Sequence, residues 1–309
     1  MKVASLRKRL RYRAVFPALS RLPQAPCYRA AQHIGRRDAR SHPSRAAIAR
    51  GMMRMFPRLA EDPAQLETLL ERYFMLMAKS TLDCFYMQGL NPDSADRLIT
   101  VHGIEHLAAA RAAGRGVIIV VSHFGRVSLL GPGLGFSGQR SGMLTTMVDQ
   151  RNPHLDPVDR WFHSTNAANI QSHLGGPWIT TGDNPRRIYQ ALKAGEAIII
   201  VMDGLETNSD ARVSFPFLGG TLSLPGGIMR IANKTGASLV YASTIDKDTG
   251  TEINLYPLPD EPEAGIAAAV KIFERDFADE PWQWWLWEAL DAIWQPDIKN
   301  SAGSGDAEK

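Results

Sequence analysis

Residues 117–121, Val-Ile-Ile-Val-Val, are five consecutive β-branched side chains with no polar residue among them. A strand with one wet face alternates apolar and polar residues. This one does not, so both of its faces must be covered, which is the condition met by helices packed on either side of a parallel sheet. The run stops abruptly at Ser122-His123-Phe124-Gly125 and a helix-like pattern follows. A titratable ring is thereby placed at the tip of a buried strand.

The rest of the chain repeats the theme. The segment 62–90, DPAQLETLLERYFMLMAKSTLDCFYMQGL, sets Leu66, Leu69, Leu70, Phe74, Met77 and Leu82 near helical spacing, with Asp62-Pro63 as a start signal. GIEHLAAARAAGR (103–115) reads as another helix, and SGMLTTMVD (141–149) as a second strand. PRRIYQALKAGEAIIIVMDG and PGGIMRIANKTGASLVYASTI each read as a helix followed by a strand. Strands alternating with helices predict an α/β fold, a largely parallel sheet covered by helices, with a helical N-terminal region. The 309 residues suffice for a sizeable core, and 44% hydrophobic with 22% charged residues is ordinary for a globular chain.

Charge is unevenly spread. Residues 1–58 hold 15 of the 35 Lys and Arg and a single acid, Asp38, so a head of net +14 precedes a remainder of net −11. Such a head suits an anionic surface. Alternation of the basic residues with Val15, Phe16, Leu19, Leu22 and Tyr28 favours an interfacial helix over nucleic acid, for which no reader motif or stacking platform is present. No apolar run reaches the roughly 20 residues that span a bilayer, and no signal-peptide pattern opens the chain. The expected organisation is a basic membrane-associating region over 1–58, an α/β domain over 59–298 and a disordered tail over 299–309. Cys27 and Cys84 have neither disulfide-framework nor metal-ligand spacing, and His154, His163 and His173 show no metal spacing either. No cofactor and no metal are expected.

In open α/β sheets, ligands gather at the carboxyl ends of the strands. His123 and Asp203 both stand at such ends, and a loop, RVSFPFLGG (212–220), follows the second. A neutral histidine held in one tautomer by a carboxylate takes a proton from a hydroxyl near neutral pH. The natural place for that carboxylate is five residues on, as in an H-x4-D/E motif. Here that place is Ser128.

GVIIVVSHFGRVSLLG resembles the first motif of the lipid A biosynthesis lauroyl/myristoyl acyltransferase family, in the lysophospholipid acyltransferase superfamily. Further likenesses follow in order: the basic LRYRAVFPALSRLP, then RNPHLDPVDRWF, the helix and strand leading to Asp203, VSFPFLGGTLSLPGGIMRIANKTGASLV, and the Trp-rich PWQWWLWEALDAIW. The resemblance implies acyl transfer from an acyl carrier protein or coenzyme A thioester to a hydroxyl of a lipid-linked or glycolipid acceptor. It implies a peripheral protein on the cytoplasmic face of the bacterial inner membrane. By the same resemblance His123 is the general base, with Phe124-Gly125 offering backbone donors to the oxyanion and Arg186 meeting phosphate or carrier. Asp203 lies at the strand end, Arg126 and Ser128 stand in the motif, and Phe215, Pro216, Phe217 and Gly219 shape the acceptor groove. Ser128 departs from the family pattern, as do Arg126-Val127 where Asn-Trp is usual. Three outcomes are open: another carboxylate (Asp203 or Glu206) serves, the enzyme runs slowly, or catalysis is lost and a lipid- or carrier-binding protein remains. A thioester hydrolase is a further alternative. The Trp-rich end reads either as core or as an interfacial anchor.

Overall fold

The computed structural model describes residues 3–153, 155–205 and 211–297, with the side chains of 3–5 left out. His154, Glu206 and the tail 299–309 lie outside the described residues. Among the described residues ten strands form two sheets. The larger has seven strands in the order β1 (Ile99–His102), β9 (Thr251–Pro257), β8 (Ser238–Asp246), β2 (Val117–Val121), β5 (Ala197–Val201), β3 (Ser141–Thr145) and β4 (Gly175–Thr180). All its pairs are parallel except β8–β9, which run antiparallel through the turn at 247–250.

β2 lies at the centre, and all five of its residues are buried. Alternate side chains point into two different cores. Ile118 and Val120, with Ile198 and Ile200 of β5, join one cluster, while Val117, Ile119 and Val121, with Ala197 and Ile199, join the other. The unbroken apolar run is therefore two period-2 patterns superposed, one for each face.

The N-terminal region is helical: α1 (Val3–Leu10), α2 (Phe16–Leu19), α3 (Gln24–Ser41), α4 (Arg45–Met55) and α5 (Pro63–Tyr86). α5 begins as the sequence suggests, with the Asp62 side chain accepting from the Gln65 amide at 2.9 Å and Pro63 in the first turn. Its first half (Leu70, Phe74, Leu76) enters one core and its second half (Leu82, Cys84, Phe85) the other. The basic segment is built into both clusters as well, through Phe16, Cys27, Tyr28 and Ala31 in one and Ile48, Met52 and Met55 in the other.

One face of the sheet is covered by α6 (Pro92–Leu98), α7 (Ile104–Ala112), α8 (Leu130–Phe136) and α9 (Pro157–Leu174). The opposite face carries α10 (Arg186–Lys193), α11 (Gly227–Thr235) and α12 (Pro262–Asp279), and α13 (Leu290–Ile293) lies near the C-terminus. The segment 212–220, expected as a loop, enters a β-hairpin of β6 (Arg212–Phe217) and β7 (Gly220–Pro225), with β10 (Trp294–Pro296) added to β7. Leu218 and Gly219, both at positive φ (47° and 68°), make its two-residue turn, the geometry that matches strand twist. Pro216 fits because β6 is an edge strand. Among the described residues no helix is long and apolar enough to cross a membrane.

Candidate active site

The ends of β2 and β5 are in register, Val121 opposite Val201, and the Met202 amide extends the ladder to the Val121 carbonyl at 2.8 Å. This brings His123 and Asp203 side by side. His123 Nδ1 lies 2.9 Å from Asp203 Oδ1, and the His123 amide donates to both carboxylate oxygens at 3.0 and 3.1 Å. An ionised carboxylate only accepts, so Nδ1 carries the proton and Nε2 keeps its lone pair. Asp203 is fully buried, whereas the His123 side chain keeps 30% exposure. The acid that the motif lacks at Ser128 is thus supplied from the next strand.

Burial depresses the His123 pKa, but the Asp203 charge and hydrogen bond outweigh it and hold the ring above its ordinary 6.5. Burial pushes Asp203 up, yet the facing His123, the Trp284 N–H and the His123 amide bring it below its ordinary 3.8.

The sequence did not disclose who holds Asp203 still. Trp284 Nε1 donates to Oδ2 at 3.0 Å from a side chain only 1% exposed. The surrounding segment 283–285 forms an isolated antiparallel bridge with the histidine loop, pairing Phe124 with Trp284. The Trp285 amide donates to the His123 carbonyl at 3.0 Å, and its Nε1 to the Gly125 carbonyl at 2.8 Å. The Gly125 amide donates to the Gln283 carbonyl at 2.9 Å. Trp282, Trp284, Trp287 and Trp294 are buried, so of the two readings of the Trp-rich end those four are core. A signal was present: buried indoles need acceptors, and a strand-end carboxylate is one.

Gly125 has φ +57°, and a Cβ there would sit 1.9 Å from the Thr244 carbonyl oxygen, so only glycine fits. The expected oxyanion donors need correcting. The Phe124 amide already donates to the Ser122 carbonyl at 2.8 Å, and the Gly125 amide is taken by Gln283. Phe124 itself is core, packed against Phe273 and Phe277.

Arg126 turns inward, 1% exposed. Its Nε donates to Asp83 Oδ2 at 2.8 Å, Nη2 meets Asp83 Oδ1, and its Cζ stands 4.5 Å from the centroid of the Tyr28 ring. Asp246, paired with Lys79, lies 3.9 Å from Nη1. Four buried charges therefore stand beneath the histidine loop and tie it to α3, α5 and β8. Ser128 is buried with Asn166 Nδ2 3.5 Å away, and none of its hydrogen bonds goes to His123.

The other expected groove residues divide. Phe215 and Phe217 are core, Phe217 stacking on Phe273 at 5.2 Å, while Pro216 and Gly219 are exposed at the hairpin's outer face and turn. Arg186 is exposed at the start of α10. Among the described residues no three His, Cys, Asp or Glu side chains gather as metal ligands would.

The arrangement is a part-exposed histidine at the carboxyl edge of a sheet, hydrogen-bonded through Nδ1 to a buried carboxylate. Phosphatidylinositol mannoside acyltransferases are similar to the chain. The one from Mycobacterium tuberculosis (strain ATCC 25618 / H37Rv) is 24% identical over 212 residues, covering 67% of this chain and 62% of that protein. The one from Mycolicibacterium smegmatis is 22% identical over 251 residues, 78% of each. The chain thus spans about 62% of the length of the M. tuberculosis relative and more of the other. The match to a whole family is longer than either, running over residues 8–289, and it places the chain in the bacterial lipid A biosynthesis acyltransferase family.

Proposed function

We propose that the protein transfers a fatty acyl group from an acyl carrier protein or coenzyme A thioester to a hydroxyl of a lipid-linked or glycolipid acceptor. The observation that carries this reading is the His123–Asp203 pair, with Nδ1 committed to the carboxylate at 2.9 Å. The acceptor O–H gives its proton to Nε2 as its oxygen attacks the thioester carbonyl. The new C–O bond forms, the C–S bond breaks, and the imidazolium returns the proton to the departing thiolate. Asp203 stabilises the imidazolium through the step without itself taking the proton.

The reaction site belongs, in this reading, at an anionic membrane surface on the cytoplasmic face of the bacterial inner membrane. Exposed Leu6 and Leu10 on α1 and Leu22 in the turn after α2 support it, since they stand among Arg7, Arg9 and Arg21. Part of the basic charge is spent internally, Lys8 on Asp156 and Asp159 and Arg11 on Asp38. Arg186, exposed on α10, remains available to a phosphate or to the carrier.

Labelled acyl carrier protein or coenzyme A thioester, supplied with a membrane extract, tests the proposal. Labelled lipid is expected from the wild type and not from His123→Ala. Equal product from both would remove the catalytic base, and free fatty acid without labelled lipid would make the protein a thioester hydrolase.

A further inference from the structure

A cavity of about 890 Å³ among the described residues does not include His123. It opens beside it, along the same carboxyl edge. Leu144 at the end of β3, Thr180 at the end of β4 and Leu205, two residues beyond Asp203, bound it on the sheet side. Ile188 and Tyr189 of α10, with Arg230 and Lys234 of α11, bound it on the helix side. β5 is one strand from β2 and β3 is two. With strands spaced about 4.8 Å apart, the floor at β3 lies roughly 10 Å from the histidine's strand. Its volume is that of a small-molecule site.

Three features say what it takes. The walls supplied by Leu144, Ile188 and Leu205 are apolar. Arg230 and Lys234, one helical turn apart and so on one face, have no carboxylate partner among the described residues. The acid on the rim, Asp183, is already occupied by the Arg187 guanidinium and the Thr180 amide, both at 2.8 Å. Finally, Thr180 Oγ1 is buried and makes no hydrogen bond of good geometry, its near neighbour being the already occupied Asp183 carboxylate. A buried hydroxyl left unpaired costs free energy, and a ligand's polar group would relieve it.

We infer that this cavity binds the phosphate-bearing part of an amphiphilic substrate, its anion between Arg230 and Lys234 and its apolar portion against Leu144 and Ile188. The inference rests on the acyltransferase reading, because it is the His123 edge that the bound molecule must reach. The same chemistry fits two sources, a coenzyme A thioester or a phospholipid acceptor.

Calorimetric titration of the full chain carrying His123→Ala, which prevents turnover, separates them. Lauroyl-coenzyme A is the probe in one arm and monomeric lysophosphatidylinositol in the other. Adding Arg230→Glu and Lys234→Glu, both at exposed positions, is expected to weaken at least one arm tenfold or more. The arm that weakens names the source. Leu144→Trp, filling the cavity from a half-buried position and checked for an unchanged thermal melt, is expected to weaken the same arm. Loss under tenfold in both arms for both variants would overturn the site. Acyl transfer fails or stands separately, on the His123 comparison in labelled product, so the two readings can be lost independently.

Discussion

Replacing Asp203 with asparagine keeps the shape of the site and removes its charge. The carboxylate now accepts from His123 Nδ1, from the His123 amide and from Trp284 Nε1. An amide has one accepting oxygen. With that oxygen toward Nδ1, the NH₂ group faces the indole donor, and with the amide flipped it faces the ring. In either orientation the imidazolium-like transition state loses its charge-assisted hydrogen bond, worth about 1.5–3 kcal/mol, a fall of roughly 10- to 150-fold in kcat/KM. The pH profile gives a sharper readout. The base must be neutral, so activity rises with pH through the His123 pKa, which Asp203 holds above 6.5. In Asp203→Asn, burial acts without the opposing charge and the acid limb moves to lower pH. The rate deficit is then smallest at acid pH and grows toward pH 8. Stability follows the same pair. The His123 contribution is complete below 6.5 and lost as pH rises through its raised folded value, and the Asp203 contribution is present above 3.8 and lost as pH falls through its lowered one. The assay is labelled acyl transfer from pH 5 to 9. A variant with the wild-type rate and an unmoved acid limb would refute the dyad.

Trp284→Phe removes only the indole donor, and about a tenfold loss of kcat with KM within twofold is expected from steady-state rates. Ser128→Glu is expected to add no activity, since Nδ1 already has its carboxylate, and to lower the thermal midpoint by burying a new charge. Arg126→Met leaves Asp83 buried without its guanidinium and is expected to cost about 3–5 kcal/mol in urea unfolding, whereas the double change Arg126→Met/Asp83→Leu recovers much of it. Leu6→Glu with Leu10→Glu is expected to release the chain from anionic vesicles in a flotation assay without altering its melt.

The sequence made His123 conspicuous because a histidine at the end of a five-residue β-branched run has few reasons to be there. It placed Asp203 at a strand end as well, and strand register does the rest. What it hid was the order of the strands: that β5 lies directly beside β2 is a tertiary fact. The 212–220 hairpin was missed because Pro216 and two glycines read as a loop, whereas Pro216 is tolerated because β6 is an edge and Gly219 serves the turn. Arg126 appeared as a site residue through its place in the family-like motif beside His123. Its partner Asp83 is 43 residues earlier, on a helix whose spacing says nothing of one buried acid.

The three residues that brace the dyad, Gln283 to Trp285, come after every strand of the large sheet in the chain. Folding during synthesis proceeds from the N-terminus. A nascent chain can therefore assemble the sheet and bring His123 against Asp203 while the carboxylate still lacks its indole brace. The hydrogen bond that fixes the carboxylate is therefore the last part of the pair's geometry to form, after residue 284 has left the ribosome.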